Sequence, residues 1–161
     1  MNEITLSIKE IVNAYLDYNG LSVAFMSRIT GIPDSTLRYW LKDKININKT
    51  NLMKVKRFME GNFLIDIDSI VEELKLPREA WREKAEAYLK YNHLTISYMS
   101  RVTRIPDTTL REWVNGEIGI STKNLNSVKQ FITGNFLLDA STIINELLIQ
   151  KEIATDENRT D

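Results

Sequence analysis

Arg38 and Arg111 are the residues of this chain best suited to recognition chemistry. Each follows Thr-Leu, each precedes a residue and then a tryptophan, and they stand 73 positions apart. A guanidinium fork can grip O6 and N7 of a guanine as a pair. The Ser and Thr residues just before them can bond base edges or phosphates. Other chemistries fare badly. With no cysteine, disulfides, thiolate metal sites and cysteine nucleophiles are excluded. A single histidine, His93, makes a histidine-rich metal centre or a Ser-His-Asp triad very hard to build, and its position just past a helix reads as a C-cap or surface residue. The acid pairs Glu72/Glu73 and Asp66/Asp68 read as helix surface and caps. No glycine-rich phosphate loop follows a strand, and no metal-ligand spacing occurs. The expectation is no catalytic residue, no metal and no cofactor.

The 161 residues carry 21 basic and 22 acidic side chains, so net charge alone argues for no partner. Local charge does. Ser22 to Phe58 holds 8 basic and 2 acidic residues, whereas Thr95 to Phe131 holds 5 and 3. A near-neutral whole thus hides a basic face on an acidic body. The apolar content of 43% with 27% charged residues belongs to a folded globular protein. The opening Met-Asn-Glu-Ile-Thr-Leu lacks the pattern of a secretory signal, and no apolar run reaches the roughly 20 residues that span a bilayer. A cytoplasmic protein without membrane contact is expected.

Those arginines recur because the sequence recurs. Ala14 to Asp66 aligns without a gap on Ala87 to Asp139, with 29 identities in 53 positions. Substitutions such as Ser22/Thr95, Val23/Ile96, Phe25/Tyr98 and Ser35/Thr108 are conservative. The copy is too long for a solenoid unit and long enough to hold a small core of its own. Its apolar spacing is helical throughout. A first helix over 6–18 stops at Asn19-Gly20. A second starts at Ser22 and ends at Gly31. Pro33 opens a third in its first turn, with Leu37, Trp40 and Leu41 inward. A loop from Asp43 to Asn48 leads to a fourth over 49–60, and a fifth begins at Asp66 or Asp68 and ends before Pro77. The second copy repeats this to about Gln150. Two five-helix domains, 1–76 and 77–152, and a polar tail, 153–161, frayed from Thr155 to Asp161, are expected. Tyr15, Tyr18, Tyr88 and Tyr91 read as core or inter-module contacts.

The connection between the second and third helices is the informative unit. Ser27 and Ser100 are small enough to let the next helix approach, Gly31 tolerates a left-handed turn, and Met26, Ile32, Leu37 and Trp40 flank it with the same spacing as Met99, Ile105, Leu110 and Trp113. The segment LSVAFMSRITGIPDSTLRYWLKDKININKTNLMKVKRF resembles the λ-repressor-like, XRE-type helix-turn-helix family of phage Cro and CI repressors, over about 21–59 and again over 94–132. Arg104 departs from the pattern, standing where the first copy and the family have glycine. If that position is left-handed, the arginine costs about 1 kcal/mol.

The resemblance implies that the exposed start of each third helix reads bases in the major groove: Asp34, Ser35, Arg38 and Tyr39, then Asp107, Thr108, Arg111 and Glu112. For Asp34 and Asp107 a helix-start role stands ahead of base reading, because an acid there suits the helix dipole. Thr36 and Thr109 are contacts or helix-start residues. Phosphate contacts are expected from Ser22 and Thr95 at the second helix and from the following loop: Lys42, Lys44, Asn46, Asn48 and Lys49 in the first copy. The matching positions Asn115, Glu117, Gly119, Ser121 and Thr122 have lost the lysines, so the first copy should supply most of the affinity. Arg28 and Arg101 can reach a phosphate or pair with an acid in their own module.

The expected function is sequence-specific regulation of transcription, most simply as a phage or mobile-element type repressor in a bacterial or phage-infected cell. The duplication implies a single-chain pseudo-dimer on two similar but unequal half-sites, about 34 Å apart. The competing expectation keeps the fold but gives it a protein partner: an inhibitor, antirepressor or antitoxin, in its mixed form with only the first domain on DNA and the second on protein. Self-association as a homodimer through Ile143, Leu147 and Leu148 is a further expectation.

Overall fold

Polar residues at the expected starts write most of the helices. Ser7, Ser22, Asn48, Asp66, Thr95 and Ser121 each sit in extended backbone and accept a hydrogen bond from a main-chain N–H three residues on, satisfying a donor that the first turn leaves unpaired. Ser7 adds a reciprocal bond with Glu10, a capping box. In the computed structural model, which describes residues 5–134 and 136–159, the order is α1 (Ile8–Tyr18), α2 (Val23–Thr30), α3 (Asp34–Leu41), α4 (Lys49–Met59), α5 (Ile67–Leu74), α6 (Trp81–Tyr91), α7 (Ile96–Thr103), α8 (Asp107–Val114), α9 (Thr122–Ile132) and α10 (Ala140–Arg159). No strand occurs among the described residues. The protein is all-α. None of these helices is long and apolar enough to cross a membrane.

The chain forms two compact units, and their limits do not follow the limits expected from the repeat. One unit runs to Phe63 and resumes at Leu138; the other spans Leu64–Leu137. The break expected at 76/77 would keep α5 with the four helices before it. Instead α5 packs on α6, while α1 receives α10. The connection explains this. Lys75 closes α5 in a left-handed conformation and Leu76 N–H bonds back to Val71 O at 3.1 Å. Only a few residues then separate α5 from α6, so consecutive helices meet with little loop-closure cost. The second unit is thus a contiguous run, α5 to α9. The first consists of α1 to α4, completed by the last helix of the chain.

Within each unit the core repeats residue for residue. Val12, Tyr15, Met26, Ile32, Leu37, Trp40, Val55 and Phe58 are buried in the first, and Ala85, Tyr88, Met99, Ile105, Leu110, Trp113, Val128 and Phe131 in the second. The fifth-helix contribution is Ile143 in the first unit and Ile70 in the second, both at most 1% exposed. Phe63 stacks on Phe58 with ring centres 4.7 Å apart, and Phe136 on Phe131 at 4.6 Å. Tyr15 and Tyr88 meet these phenylalanines edge-on. Burial pushes both phenols up to about 12. Tyr18, by contrast, is exposed and its hydroxyl accepts from Gln150 Nε2 at 3.2 Å. Tyr91 is held above its ordinary value first by desolvation and then by Glu73.

Two equivalent asparagines join the fifth helices to the units. Asn92 is 2% exposed; its Oδ1 accepts from Ile65 N–H at 2.6 Å, and its Nδ2 donates to Ile65 O and Tyr88 O, both at 3.1 Å. Asn19 does the same for Leu138: Oδ1 accepts from its N–H at 2.7 Å, and Nδ2 donates to Leu138 O and Tyr15 O at 3.1 Å. Each carboxamide imitates one rung of a strand pair. It satisfies a main-chain donor and acceptor where the chain leaves one unit for the other. One residue on, Asp66 and Asp139 cap α5 and α10, and the N–H groups of Ser69 and Thr142 hold their carboxyls below the usual range. That contribution is complete above the ordinary carboxylate pKa and is lost as pH falls through the lowered value.

Three further expectations need correction. The tail expected to fray from Thr155 is helical as far as Arg159, because Lys151 pairs with Glu10 at 2.8 Å and donates to Thr5 O at 3.2 Å, holding the middle of α10 against α1. Residues 160 and 161 of that tail, and the first four of the N-terminal stretch, lie outside the described residues. The stripe expected to self-associate is partly consumed within the first unit, since Ile143 is buried and Leu147 and Leu148 are half-buried. Pro33 and Pro106 stand at the N-cap of α3 and α8, not inside the first turn, with ψ of 139°. Extended backbone at a proline whose own N–H is missing suits that place.

The conditional expectation for Arg104 is met. Its φ of 62° and ψ of 23° match Gly31, which has φ 76°. Arg104→Gly is therefore expected to raise the stability of the second unit by about 1 kcal/mol. The check is urea unfolding of the full chain; an unchanged or lower midpoint contradicts it.

Candidate nucleic-acid interface

The same device builds the α2–α3 and α7–α8 connections. Ser27 Oγ donates to Ile32 O at 2.6 Å, and Thr30 Oγ1 donates to Met26 O at 2.7 Å while receiving Ile32 N–H at 3.3 Å. Ser100 and Thr103 repeat every one of these bonds. The small residue expected only to let the next helix approach thus also fixes the turn. With the backbone set, Leu37 and Trp40 turn inward and are at most 3% exposed, as are Leu110 and Trp113 within 4%.

What remains outward on α3 is Ser35, Arg38 and Tyr39, all exposed, with Asp34 and Thr36 half-buried. On α8 the outward set is Thr108, Arg111 and Glu112, with Asp107 and Thr109 half-buried. The two arginines are not idle. Arg38 Nε donates to Asp34 Oδ1, and Arg111 Nε to Asp107 Oδ1, each one turn apart. Both arginine side chains are 53% exposed. Such pairs contribute at most about 1 kcal/mol, so a stronger acceptor can displace the aspartate. The acids therefore aim the guanidinium groups as well as suiting the helix dipole.

The second unit adds a tie that the first lacks. Ser97 Oγ donates to Asp107 Oδ2 at 2.8 Å and accepts from Arg111 Nη2 at 3.3 Å. Ser97, then Arg111, hold the Asp107 carboxyl below the usual range. The first copy has Ala24 in place of Ser97. That difference was visible in the alignment, but nothing in the spacing places Ser97 on the start of α8.

The loops differ more. After α3, Lys42, Lys44 and Asn46 are exposed, and Lys49 is the first residue of α4. Lys44 Nζ lies 5.8 Å from the Tyr39 ring centre, so loop and helix present a cation and an aromatic together. Asn48 caps α4, its Oδ1 receiving Asn51 N–H at 2.7 Å. Asp43, left-handed with φ 61°, pairs with Lys9, which lies 6.0 Å over the Trp40 ring. In the second unit Asn115 ends α8, Glu117 and Gly119 are exposed, Ser121 caps α9 by accepting Asn124 N–H at 3.1 Å, and Thr122 begins it. Ser22 and Thr95 cap α2 and α7, each accepting an N–H at 3.0 Å. Each keeps its hydroxyl proton to offer to an anion. Arg28 is exposed in the last turn of α2, while the Arg101 guanidinium lies 5.8 Å from the Tyr98 ring of its own unit.

The first unit therefore presents one exposed arginine and one exposed tyrosine on α3, with three lysines from the loop behind it and the start of α4. The second keeps the arginine, ties it more firmly, and replaces the tyrosine and all three lysines by Glu112, Asn115, Glu117 and Thr122. Among the described residues no group of three or more His, Asp or Glu could hold a metal ion. Comparison with known proteins gives no family model that matches this chain, no curated protein that aligns with it, and no solved structure that resembles it.

Proposed function

We propose that this chain binds double-stranded DNA in a sequence-dependent way and regulates transcription, most simply as a repressor of the phage or mobile-element kind. On this reading each unit is a five-helix, λ-repressor-like domain that lays the outward side of α3 or α8 in a major groove. The observation that carries the proposal is the exposed α3 surface of Ser35, Arg38 and Tyr39, followed in the chain by the exposed Lys42, Lys44 and Lys49, with Lys44 Nζ 5.8 Å from the Tyr39 ring. A guanidinium for base edges with ammonium groups behind it is the division between reading and positioning that duplex recognition uses. The segment from Ser22 to Phe58 has 8 basic residues against 2 acidic, which suits a polyanion. Two units in one chain give the second contact a high effective concentration. Tyr39 against Glu112 implies half-sites that are similar but not equal.

A second reading is favoured by the Ser97–Asp107–Arg111 network and by the acids Glu112 and Glu117. Here the first unit holds DNA and the second holds a protein. A salt titration of binding to a pool of random duplexes separates the cases. DNA binding through the lysine face predicts a linear fall of log affinity with log salt, because each phosphate contact releases counterions with a slope of about 0.9. Absence of any binding at low salt refutes both forms of the DNA reading and leaves the inhibitor.

A further inference from the structure

Arg82, half-buried in the first turn of α6, has a buried Nε with no hydrogen-bond partner among the described residues, and it forms no ion pair among them. A guanidinium so placed can take a carboxylate at little cost in broken bonds. Its counterpart in the first unit does take one. At the 73-residue offset of the repeat, Arg82 stands for Lys9, which pairs with Asp43. The place of Asp43 is held in the second unit by Gly116. The two positions still adjoin, for a Cβ at Gly116 would lie 3.7 Å from Arg82 Nη1. The second unit thus has the cation but no carboxylate of its own to meet it.

Arg82 lines a cleft of about 250 Å³ whose lining residues all belong to the second unit. Trp81, Trp113, Ile120 and Leu125 are its apolar walls, and the exposed Glu79 and Glu83 line it without pairing with Arg82. The Trp81 wall is held in place. Lys84, 7% exposed, donates to Arg78 O at 2.5 Å and sets its Nζ 4.2 Å from the ring centre, while Lys129 Nζ lies 4.8 Å from the same centre. The first unit has Ile8 and Ile11 where the second has Trp81 and Lys84.

We infer that this cleft binds a free α-amino acid with an apolar side chain. Its carboxylate meets Arg82 as Asp43 meets Lys9 in the first unit. Its ammonium is matched by Glu79 and Glu83, which count against a phosphate or a dicarboxylate. Its side chain lies against Trp81, Ile120 and Leu125. The volume is below that of a cleft for drug-sized molecules and suits a small metabolite. This inference does not depend on what the outward face of α3 binds.

Trp81 and Trp113 wall the cleft, so the test follows the tryptophan emission of the full chain in the absence of DNA. Valine, leucine, isoleucine, methionine and phenylalanine are titrated separately. The tightest of them is then compared with its amide, which lacks the carboxylate, and with its deaminated acid, which lacks the ammonium. At least one amino acid is expected to give a saturable change, and both analogues to bind at least about 10-fold more weakly. Gly116→Asp, which offers Arg82 the partner that Lys9 has, is expected to weaken binding by at least about 10-fold, and so is Arg82→Gln; the second variant decides should the first fail to fold. No saturable change with any of the five amino acids overturns the inference. So does an analogue that binds as tightly as its parent, or a folded variant with wild-type affinity. Duplex binding by the same variants should stay as in the wild type, so a failure here leaves the DNA reading untouched.

Discussion

Asn19→Ala is expected to lower the stability of the first unit by about 2–4 kcal/mol, and Asn92→Ala to do the same to the second. Neither asparagine belongs to α3 or α8, and each loses only a short side chain. The size of the effect comes from what is left behind. With the carboxamide gone, the N–H and the carbonyl of Leu138, or of Ile65, lose their partners at a part-buried place, and one carbonyl of α1 or α6 loses a donor. Asn19→Asp should be no milder: it keeps the acceptor but turns an oxygen, not an amide donor, toward two carbonyls. Urea unfolding of the full-length variants is the check. Losses under about 0.5 kcal/mol, the range of an ordinary surface change, would show that the clamps do not hold the fifth helices. Because α10 completes the first unit, Asn19→Ala should also speed the protease cleavage of the chain near residue 138.

The second large effect concerns affinity. Replacing Lys42, Lys44 and Lys49 together by alanine is expected to weaken duplex binding about 100-fold at physiological salt and to lower the salt slope by about 3, nearly equally for all sequences. The three ammonium groups are exposed and bear no part of the core, so the fold should keep its melting temperature. Lysines placed at Asn115, Glu117 and Thr122 of the second unit should act in the opposite direction. Gel-shift or fluorescence titration over a salt series measures both. An unchanged slope in the triple variant means that this loop does not lie on phosphate.

Much of this architecture is legible in the residues. Most of the helices begin where Ser, Thr, Asn or Asp can receive an N–H, and the inward positions Leu37, Trp40, Leu110 and Trp113 follow from helical spacing. The left-handed Arg104 follows from its alignment with Gly31. The fifth helices are another matter. Their apolar spacing marks them as helices, with Ile143 read as part of a self-association stripe, but two chemically equivalent seats exist in the fold, one on α1 and one on α6, and Ile143 and Ile70 fill them. A repeated sequence cannot say which helix takes which seat; the short connection around Lys75 and Pro77 decides it. Asn19 and Asn92 are identical in both copies beside a variable neighbour, Gly20 or His93. That was the available signal, and helix-end chemistry accounts for the asparagine only as a C-cap. For the outward face, exposure of Arg38 and Arg111 is a matter of period, while their engagement by Asp34 and Asp107 is the ordinary one-turn pairing of opposite charges. The Ser97 tie crosses two helices and needed the turn geometry.

The most direct test is selection of preferred sites from random duplex DNA by the wild-type chain and by Arg38→Ala, at one low salt concentration. Should α3 read the groove with Arg38 on a guanine, the wild type will enrich a defined site, and the variant will bind about 1–3 kcal/mol more weakly and lose its preference at one base pair of one half-site. The same base preference in both proteins, or no enriched site with the wild type, would contradict the assignment of α3 as the reading element.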